Sequence, residues 1–390
     1  MAKSSLIYLD HAATSYPKPP AVEVAMRACL KEKGGNPGRG SHRLALGAAE
    51  EIYRCRDSAA SLFGCVPEHV IFTLNTTHAL NLALKGLLSR GGHALCSDME
   101  HNAVRRPLHR LYEDGLIDYD IFHTYPTMTR GRDEAILASL AAHLRPDTRV
   151  VVCTHSSNIC SACLPVAKIG AFCRRHGLYF VLDAAQSAGI YDIDMTALSV
   201  DALCVPGHKG LLGPQGTGML ILGDRLAGEA DRLLAPLMEG GNGVDSLSTT
   251  MSSDLPERYE PGTLATPAIA GLRAGIDYVR AVTPAAIRER EAWLGGLLRE
   301  GLSTLPGVTL YAPEHEGGVV LFSVAGMDSE AVGQALDREG ICVRPGFHCA
   351  ALAHATLGTP AGGAVRASVG YTNSERDIRR TLEAVRRLCR

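Results

Sequence analysis

Short unbroken apolar runs alternate along this chain with stretches in which apolar residues return every three or four positions. Val70-Ile71-Phe72-Thr73, Ala94 to Ser97, Arg149 to His155 and Tyr179 to Asp183 are runs of the first kind. They are too short for helices and end in polar turns, so they predict buried strands. Ile117 to Tyr125 is more mixed and predicts another. Val22, Ala25, Met26, Cys29 and Leu30 share one helical face, as do Leu80, Ala83, Leu84 and Leu87, and Val166, Ile169, Phe172 and Cys173. Glu134 to Leu144 adds a helix. Alternation of strand and helix from residue 70 onward predicts a mostly parallel sheet covered by helices, the α/β class.

The two ends follow a different pattern. Leu6 to Leu9 predicts a short strand before Asp10-His11, and Pro17, Pro19 and Pro20 lead into the first helix, which Gly34 to Gly38 closes. Thr266-Pro267 opens a helix with Ile269, Leu272, Ile276 and Val279 on one face. Beyond it, helices around Trp293 and from Ser329 to Glu339 alternate with strand-like Val319 to Val324 and Ile341 to Arg344. Ser374 and Asp377 stand in capping-box spacing ahead of Ile378, Leu382 and Val385. A boundary to a smaller C-terminal domain is therefore expected at Thr266.

Chemistry-bearing residues gather where predicted strands end. Lys209 follows a short apolar run in Pro206-Gly207-His208-Lys209-Gly210, with further glycines at 213, 216 and 218. That stretch fits either a solvated glycine-rich loop or a tight turn presenting a buried amine, which can form an imine with an aldehyde cofactor. Asp183 closes a strand at its carboxyl end, where ligands bind in open α/β sheets. A carboxylate for a pyridinium nitrogen and a lysine for an imine are the two groups that pyridoxal phosphate (PLP) chemistry asks of a protein. Thr76 and Thr77 open a helix after a strand, where hydroxyls meet a phosphate or cap the helix. The cationic loop Asn36 to Arg43 suits an anionic site or a solvated turn equally. His101 lies just past a strand end, as hydrogen-bonded loop histidines often do. Gly- and Thr-rich Leu237 to Thr266 reads as an ordered functional loop. Cys349 follows His348 in a Gly-Pro turn near Arg344, surroundings that favour a thiolate. Arg366 lies inside a strand-like run and needs an anionic partner, such as a substrate carboxylate.

Composition narrows the classes. With 390 residues, 46% hydrophobic and 21% charged, the chain can bury a sizeable core, and a net charge of −2 carries no footprint for nucleic acid or an anionic membrane. The twelve cysteines sit at no framework spacing, which predicts free thiols and a reducing, cytoplasmic setting. Cys160 and Cys163 have CxxC spacing, but no second pair completes a zinc site, so no metal is expected. No apolar run approaches the ~18–20 residues of a membrane span, and the first residues show no signal-peptide core.

Taken in order, Tyr8-Leu-Asp-His-Ala-Ala-Thr-Ser-Tyr-Pro, Gly35-Asn-Pro-Gly-Arg-Gly-Ser-His42, Glu100-His101-Asn102, Asp183-Ala-Ala-Gln186, His208-Lys209, Arg344-Pro-Gly-Phe-His-Cys349-Ala and Arg366-Ala-Ser resemble one family. It is the fold-type I PLP enzymes of aminotransferase class V, specifically the cysteine desulfurases and selenocysteine lyases, and the short approach to Cys349 is similar to their group II branch. The resemblance implies a large PLP-binding domain, 15–265, with a mostly parallel seven-stranded sheet, and a smaller α+β domain, 266–390 with 1–14. It implies that Lys209 carries the cofactor and moves protons, that Asp183 holds the pyridinium nitrogen and Gln186 the ring hydroxyl, and that His101 stacks on the ring. Thr76, Thr77 and His208 would bind phosphate, with Thr263 reaching the cofactor of the other subunit of a homodimer. Asn158 and Arg366 would bind the substrate carboxylate, Arg344 would line the site, and Cys349 would take sulfur from L-cysteine for a sulfur-acceptor protein or, in a selenocysteine lyase, enforce selectivity as selenium leaves L-selenocysteine. Other outcomes are a different class V carbon–sulfur lyase or aminotransferase, or an inactive binding or scaffold protein. The chain departs from the family at Pro206, where relatives carry a hydroxyl, and at Asn75, where glycine is common.

Overall fold

The computed structural model describes residues 6–38, 40–244 and 246–389. Arg39 of the cationic loop and the N-terminal residues 1–5 therefore lie outside the described residues. The strands are, in chain order, β1 (Ile7–Tyr8), β2 (Val70–Thr73), β3 (Gly92–Ser97), β4 (Ile117–Phe122), β5 (Thr148–Thr154), β6 (Tyr179–Asp183), β7 (Ala202–Pro206), β8 (Gly218–Leu222), β9 (Val308–Tyr311), β10 (Val319–Val324), β11 (Ile341–Cys342), β12 (Arg344–Gly346) and β13 (Ala364–Ser368).

Seven of them form one sheet in the order β2-β8-β7-β6-β5-β3-β4. The run from β4 to β7 is parallel, and β8 is antiparallel to both β7 and β2. Alternate side chains of the central strands enter separate cores on the two faces. Val151, Cys153, Phe180 and Leu182 point to one, and Val150, Val152 and Val181 to the other. Burial on both faces is why these strands read as continuous apolar runs. From β3 the chain moves outward to β4 and then crosses back past β3 to β5, so the carboxyl ends around β3 and β5 open a crevice of the kind where α/β sheets bind ligands.

A second, antiparallel sheet has the order β12-β13-β10-β9. The helices Pro284–Ser303, Ser329–Arg338 and Glu375–Leu388 cover it through Leu294, Leu298, Leu336, Ile378 and Val385. β1 pairs in parallel with β11, and Ile7 and Leu9 sink into the same core. At roughly 1.5–3 kcal/mol for each large apolar side chain withdrawn from water, that contact ties the beginning of the chain to its end. The Ser374–Asp377 capping box forms as expected.

Several boundaries differ from the pattern-based reading. The expected Ile117–Tyr125 strand stops at Phe122, and Tyr125 turns away at φ 45°. The Ile341–Arg344 run splits between two sheets as β11 and β12. The long helix Arg43–Phe63 has no clean apolar stripe, because Glu51 and Arg56 are buried on it among small residues. Each has a partner. Glu51 accepts from Lys33 and Arg273, and Arg56 is paired with Glu260. Helix Thr266–Val282, at whose start the sequence places the boundary, sends Ile269, Leu272 and Ile276 into the core of the large sheet.

Candidate active site

The crevice takes its groups from strand ends and helix starts. Thr76, Thr77, His101, Asn158, Asp183, Gln186, His208 and Lys209 line one cavity there, with Pro206 beside them. These residues, up to 133 positions apart in the chain, converge because β5, β6 and β7 run parallel and end level with one another.

Lys209 is held by the shape of its turn. Gly213 N–H donates to the Gly207 carbonyl (2.7 Å), and Gly207 N–H to that of Thr217 (2.8 Å). A Cβ at Gly207 would lie 2.0 Å from Thr217 Oγ1, so glycine is needed here for close approach, while Gly216, at φ 78°, supplies the bend. The turn's tip is clasped by the N-terminal segment. The His208 carbonyl accepts from Lys18 Nζ (2.6 Å), Thr14 Oγ1 (3.1 Å) and Ser15 Oγ (3.1 Å). Burial, reinforced by the Arg366 charge, pushes the Lys209 amine down to about 8, with Asp183 and Asp10 opposing the shift. Burial likewise raises the Asp183 carboxyl to about 6, against a hydrogen bond from Ala185 N–H (2.9 Å).

At the helix Thr76–Leu87, the two readings of its start divide between residues. Asn75 is the cap, its Oδ1 accepting from His78 N–H (2.9 Å). Its φ of −177° is extended backbone open to any residue, so this departure from the family costs the turn nothing. Thr76 Oγ1 is left buried without a hydrogen-bond partner at the positive end of the helix. An orphaned hydroxyl beside free N–H groups suits a phosphate. Thr77 is exposed at the same turn, whereas Pro206 contributes no donor.

His101 caps the helix Asn102–Glu113, its Nδ1 accepting from Ala103 N–H (3.0 Å). Burial and the nearby Lys209 and Arg366 charges lower it to about 4, so the ring is neutral with its proton on Nε2. Gln186 Nε2 donates to the Ala12 carbonyl (2.9 Å), and His208 Nδ1 lies 3.1 Å from Thr14 Oγ1. Burial holds His208 near 4.

The second sheet brings the remaining groups to the rim. Arg366, at 3% exposure, donates to the Asn158 carbonyl (3.0 Å) and to Asp10 Oδ1 (2.9 Å), while its Nε stays buried and unpaired. Arg344 Nη2 also donates to Asp10 (2.8 Å). The anionic partner of Arg366 in this structure is thus Asp10, which the sequence offered only as the residue after the first strand. Cys349 is the exposed one of the twelve cysteines. Its carbonyl accepts from Asn102 N–H (2.7 Å), and Asn158 Nδ2 donates to the His348 carbonyl (2.9 Å). His348 and Cys349 both sit at positive φ, 52° and 54°, on the order of 1–3 kcal/mol of backbone cost each.

Three residues met in the sequence stand elsewhere. Thr263 lines a separate cavity with Arg56 and Glu260, and accepts from Asn36 Nδ2 (3.3 Å). Cys163 pairs its thiol with Tyr191 OH (3.0 Å), and Cys160 is buried. Sequence reasoning also passed over Glu100, whose carboxylate accepts from Ser97 Oγ and from Thr154 N–H (2.8 Å) and is raised to about 8, chiefly by burial. Its only signal was its place next to His101.

The arrangement as a whole offers an amine and a carboxylate in one crevice, a phosphate-ready helix start, a buried guanidinium on Arg366 and an exposed one on Arg344, and an exposed thiol. The aminotransferase class-V family model matches residues 7–381. A probable cysteine desulfurase of Methanothermobacter thermautotrophicus is 34% identical, over 97% of this chain and 94% of that protein. The apo structure of cysteine desulfurase from Thermococcus onnurineus superposes with a TM-score of 0.87 at 30% identity, over 98% of this chain and 94% of that chain. A C-DES mutant with glycine covalently linked to its PLP cofactor gives a TM-score of 0.81 at 26% identity, over 98% and 97% of the two chains. The sheet order is the fold-type I architecture that the motifs implied. On this agreement over nearly its whole length, the chain belongs to the aminotransferase class-V family.

Proposed function

We propose that the protein is a PLP-dependent cysteine desulfurase that converts L-cysteine to L-alanine and retains the sulfur as a persulfide on Cys349. The observation that carries this reading is the bond from Asn102 N–H to the Cys349 carbonyl, which fastens the backbone of the exposed cysteine to the residue that follows His101 of the cavity wall. PLP, when bound, holds the substrate amine and draws electron density from its Cα.

The residues present fit that cofactor. Thr76, Thr77 and His208 would receive the phosphate, the unpaired Thr76 Oγ1 gaining a partner it lacks. Asp183 would face the pyridinium nitrogen, Gln186 the ring hydroxyl, and His101 the ring. Lys209 would hold the cofactor and then move a proton at Cα, its depressed amine suiting it to act as a base near neutrality. Asn158 and Arg366 would orient the substrate carboxylate, using the free Arg366 Nε, and Arg344 would line the approach to the thiol. The Cys349 thiolate forms an S–S bond with the substrate sulfur as the Cβ–S bond breaks. The electron pair stays on the substrate carbon, which takes up a proton and departs as alanine.

The reading includes a homodimer in which Thr263 reaches the cofactor site of a second copy, supported by its exposure away from its own crevice. It includes a sulfur-acceptor protein, supported by the exposure of Cys349. It also includes operation in the reducing cytoplasm, supported by the twelve scattered cysteines. Among the described residues no helix is long and apolar enough to cross a membrane. The division into 15–265 and 266–390 with 1–14 belongs to the same reading, with β1 on β11 as its support, although helix Thr266–Val282 packs into the core of the large sheet.

The deciding experiment measures alanine release from L-cysteine and L-selenocysteine by the native protein and by Cys349→Ala. Loss of cysteine turnover in the variant is expected, and unchanged turnover would overturn the persulfide mechanism.

A further inference from the structure

The turn that carries Cys349 needs more than its own residues to persist. Consecutive non-glycine residues at positive φ are seldom stable without outside anchors. Asn102 and Asn158 fix two main-chain carbonyls of the turn, and the His348 side chain supplies a third tie.

His348 Nε2 lies 2.9 Å from the Arg344 carbonyl, and its Nδ1 lies 3.0 Å from His354 Nε2. His354 Nδ1 in turn lies 2.9 Å from Thr359 Oγ1. The direction of every bond follows. A carbonyl can only accept, so His348 carries its proton on Nε2 and, being neutral, presents Nδ1 as an acceptor. His354 must therefore donate from Nε2, which leaves its Nδ1 to accept from the Thr359 hydroxyl, a contact shorter than the 3.4 Å from that hydroxyl to the His354 carbonyl. The two rings lie within 16° of parallel with centroids 5.2 Å apart, an arrangement compatible with an in-plane nitrogen-to-nitrogen bond. Burial keeps His348 near 3 and His354 near 4, so both are neutral at physiological pH.

The local fold is built to make this contact. His354 is 1% exposed on the short helix Ala351–Leu357, and Gly358, at φ 64°, turns the chain back so that Thr359 N–H reaches the His354 carbonyl (3.1 Å). An apolar side chain at this position could not extend the chain of bonds to the residue before the nucleophile.

We propose that His354 is a positioning residue for Cys349, acting through the relay Thr359–His354–His348 to lock the turn that presents the thiol, a role that rests on the desulfurase reading. The nucleophile then works from a fixed place beside the cofactor site, and the acceptor must come to it.

The test uses the PLP-loaded protein and three variants. His354→Leu should lower kcat for L-cysteine by about 10- to 100-fold through misplacement of the thiol, while affinity for L-alanine, read from the cofactor's visible spectrum, changes less than about twofold. His354→Gln, whose amide N–H can replace the lost donor, should recover most of that rate, and Thr359→Val should lose about threefold. A His354→Leu enzyme as fast as the native one overturns the proposal, as does equal damage in the Leu and Gln variants. Should His354→Leu fail to fold, a Thr359→Val enzyme of native kcat overturns it instead. Imidazole nitrogen NMR of the native protein at neutral pH gives a readout independent of turnover: both rings should be protonated on Nε2, and an Nδ1-protonated His354 refutes the relay. Absence of alanine release from the native protein would sink the desulfurase reading, and it is distinguished by that spectrum.

Discussion

The two reacting ends of the proposed site are made differently. Lys209 and Asp183 sit at the ends of parallel strands in the large sheet, and burial shifts both toward neutrality, the amine down to about 8 and the carboxyl up to about 6. Cys349 stands on an exposed turn beside the small sheet, held by hydrogen bonds from Asn102 to its own carbonyl and from Asn158 to that of His348. The amine and carboxylate owe their chemistry to the removal of water, and the thiol owes its chemistry to where it is put. Asp10 joins the two regions, because it accepts from both Arg344 and Arg366, and Arg366 also bonds Asn158 on the cavity wall.

Variants that separate the two ends test this contrast. Lys209→Ala should cost the most, about 10⁴-fold or more in alanine release, and should slow, without abolishing, the spectral response of added PLP to L-alanine. Cys349→Ala should lower alanine release from L-cysteine by about 10³-fold yet keep that response, and loss of the response would mean that the two ends are not separable. Asp10→Asn should destabilise the fold by about 3 kcal/mol in denaturant titrations, since it leaves a buried guanidinium without its counter-charge, and should raise KM for L-cysteine more than it lowers kcat. An unchanged denaturation midpoint would show that Asp10 does not hold the regions together.

Smaller effects sharpen the account of the buried end. Thr76→Val should weaken PLP binding about tenfold, the worth of one phosphate hydrogen bond, measured by fluorescence titration of the cofactor-free protein. The rate of PLP uptake by that protein should follow the neutral fraction of Lys209. The folded amine is depressed, so the reactive form grows as pH rises and levels off above the folded value of about 8. Between about pH 7 and about pH 8 the gain is then about fivefold, whereas an ordinary lysine would give about tenfold and keep climbing. A profile of the latter kind would show that the crevice does not desolvate the amine.

The contrast also explains what could be read from the chain. β2, β6 and β10 match their predicted runs residue for residue, because a strand buried on both faces or capped by a polar turn leaves its mark in local order. Lys209, Asp183 and Thr76 were legible as strand-end and helix-start residues, and the structure brings them to one cavity. Helix Arg43–Phe63 left no such mark, since Glu51 and Arg56 occupy its buried face and only their distant partners make that tolerable. Thr263, read beside the other cofactor residues, lies in another cavity, and no single chain shows what it faces.

Local order alone determined the alternation of strands and helices, the capping box at Ser374, and which residue types stand where a parallel sheet would bind a ligand. These depend on side-chain period and on backbone geometry over a few residues, and both are written in neighbouring positions. Tertiary structure alone decided that Asp10 faces Arg344 and Arg366 from the other end of the chain, that β8 runs against its neighbours, and that His354 reaches His348 through a turn at positive φ. Each of those depends on the meeting of groups whose separation along the chain says nothing of their distance in space, or on a backbone conformation that only surrounding bonds can hold.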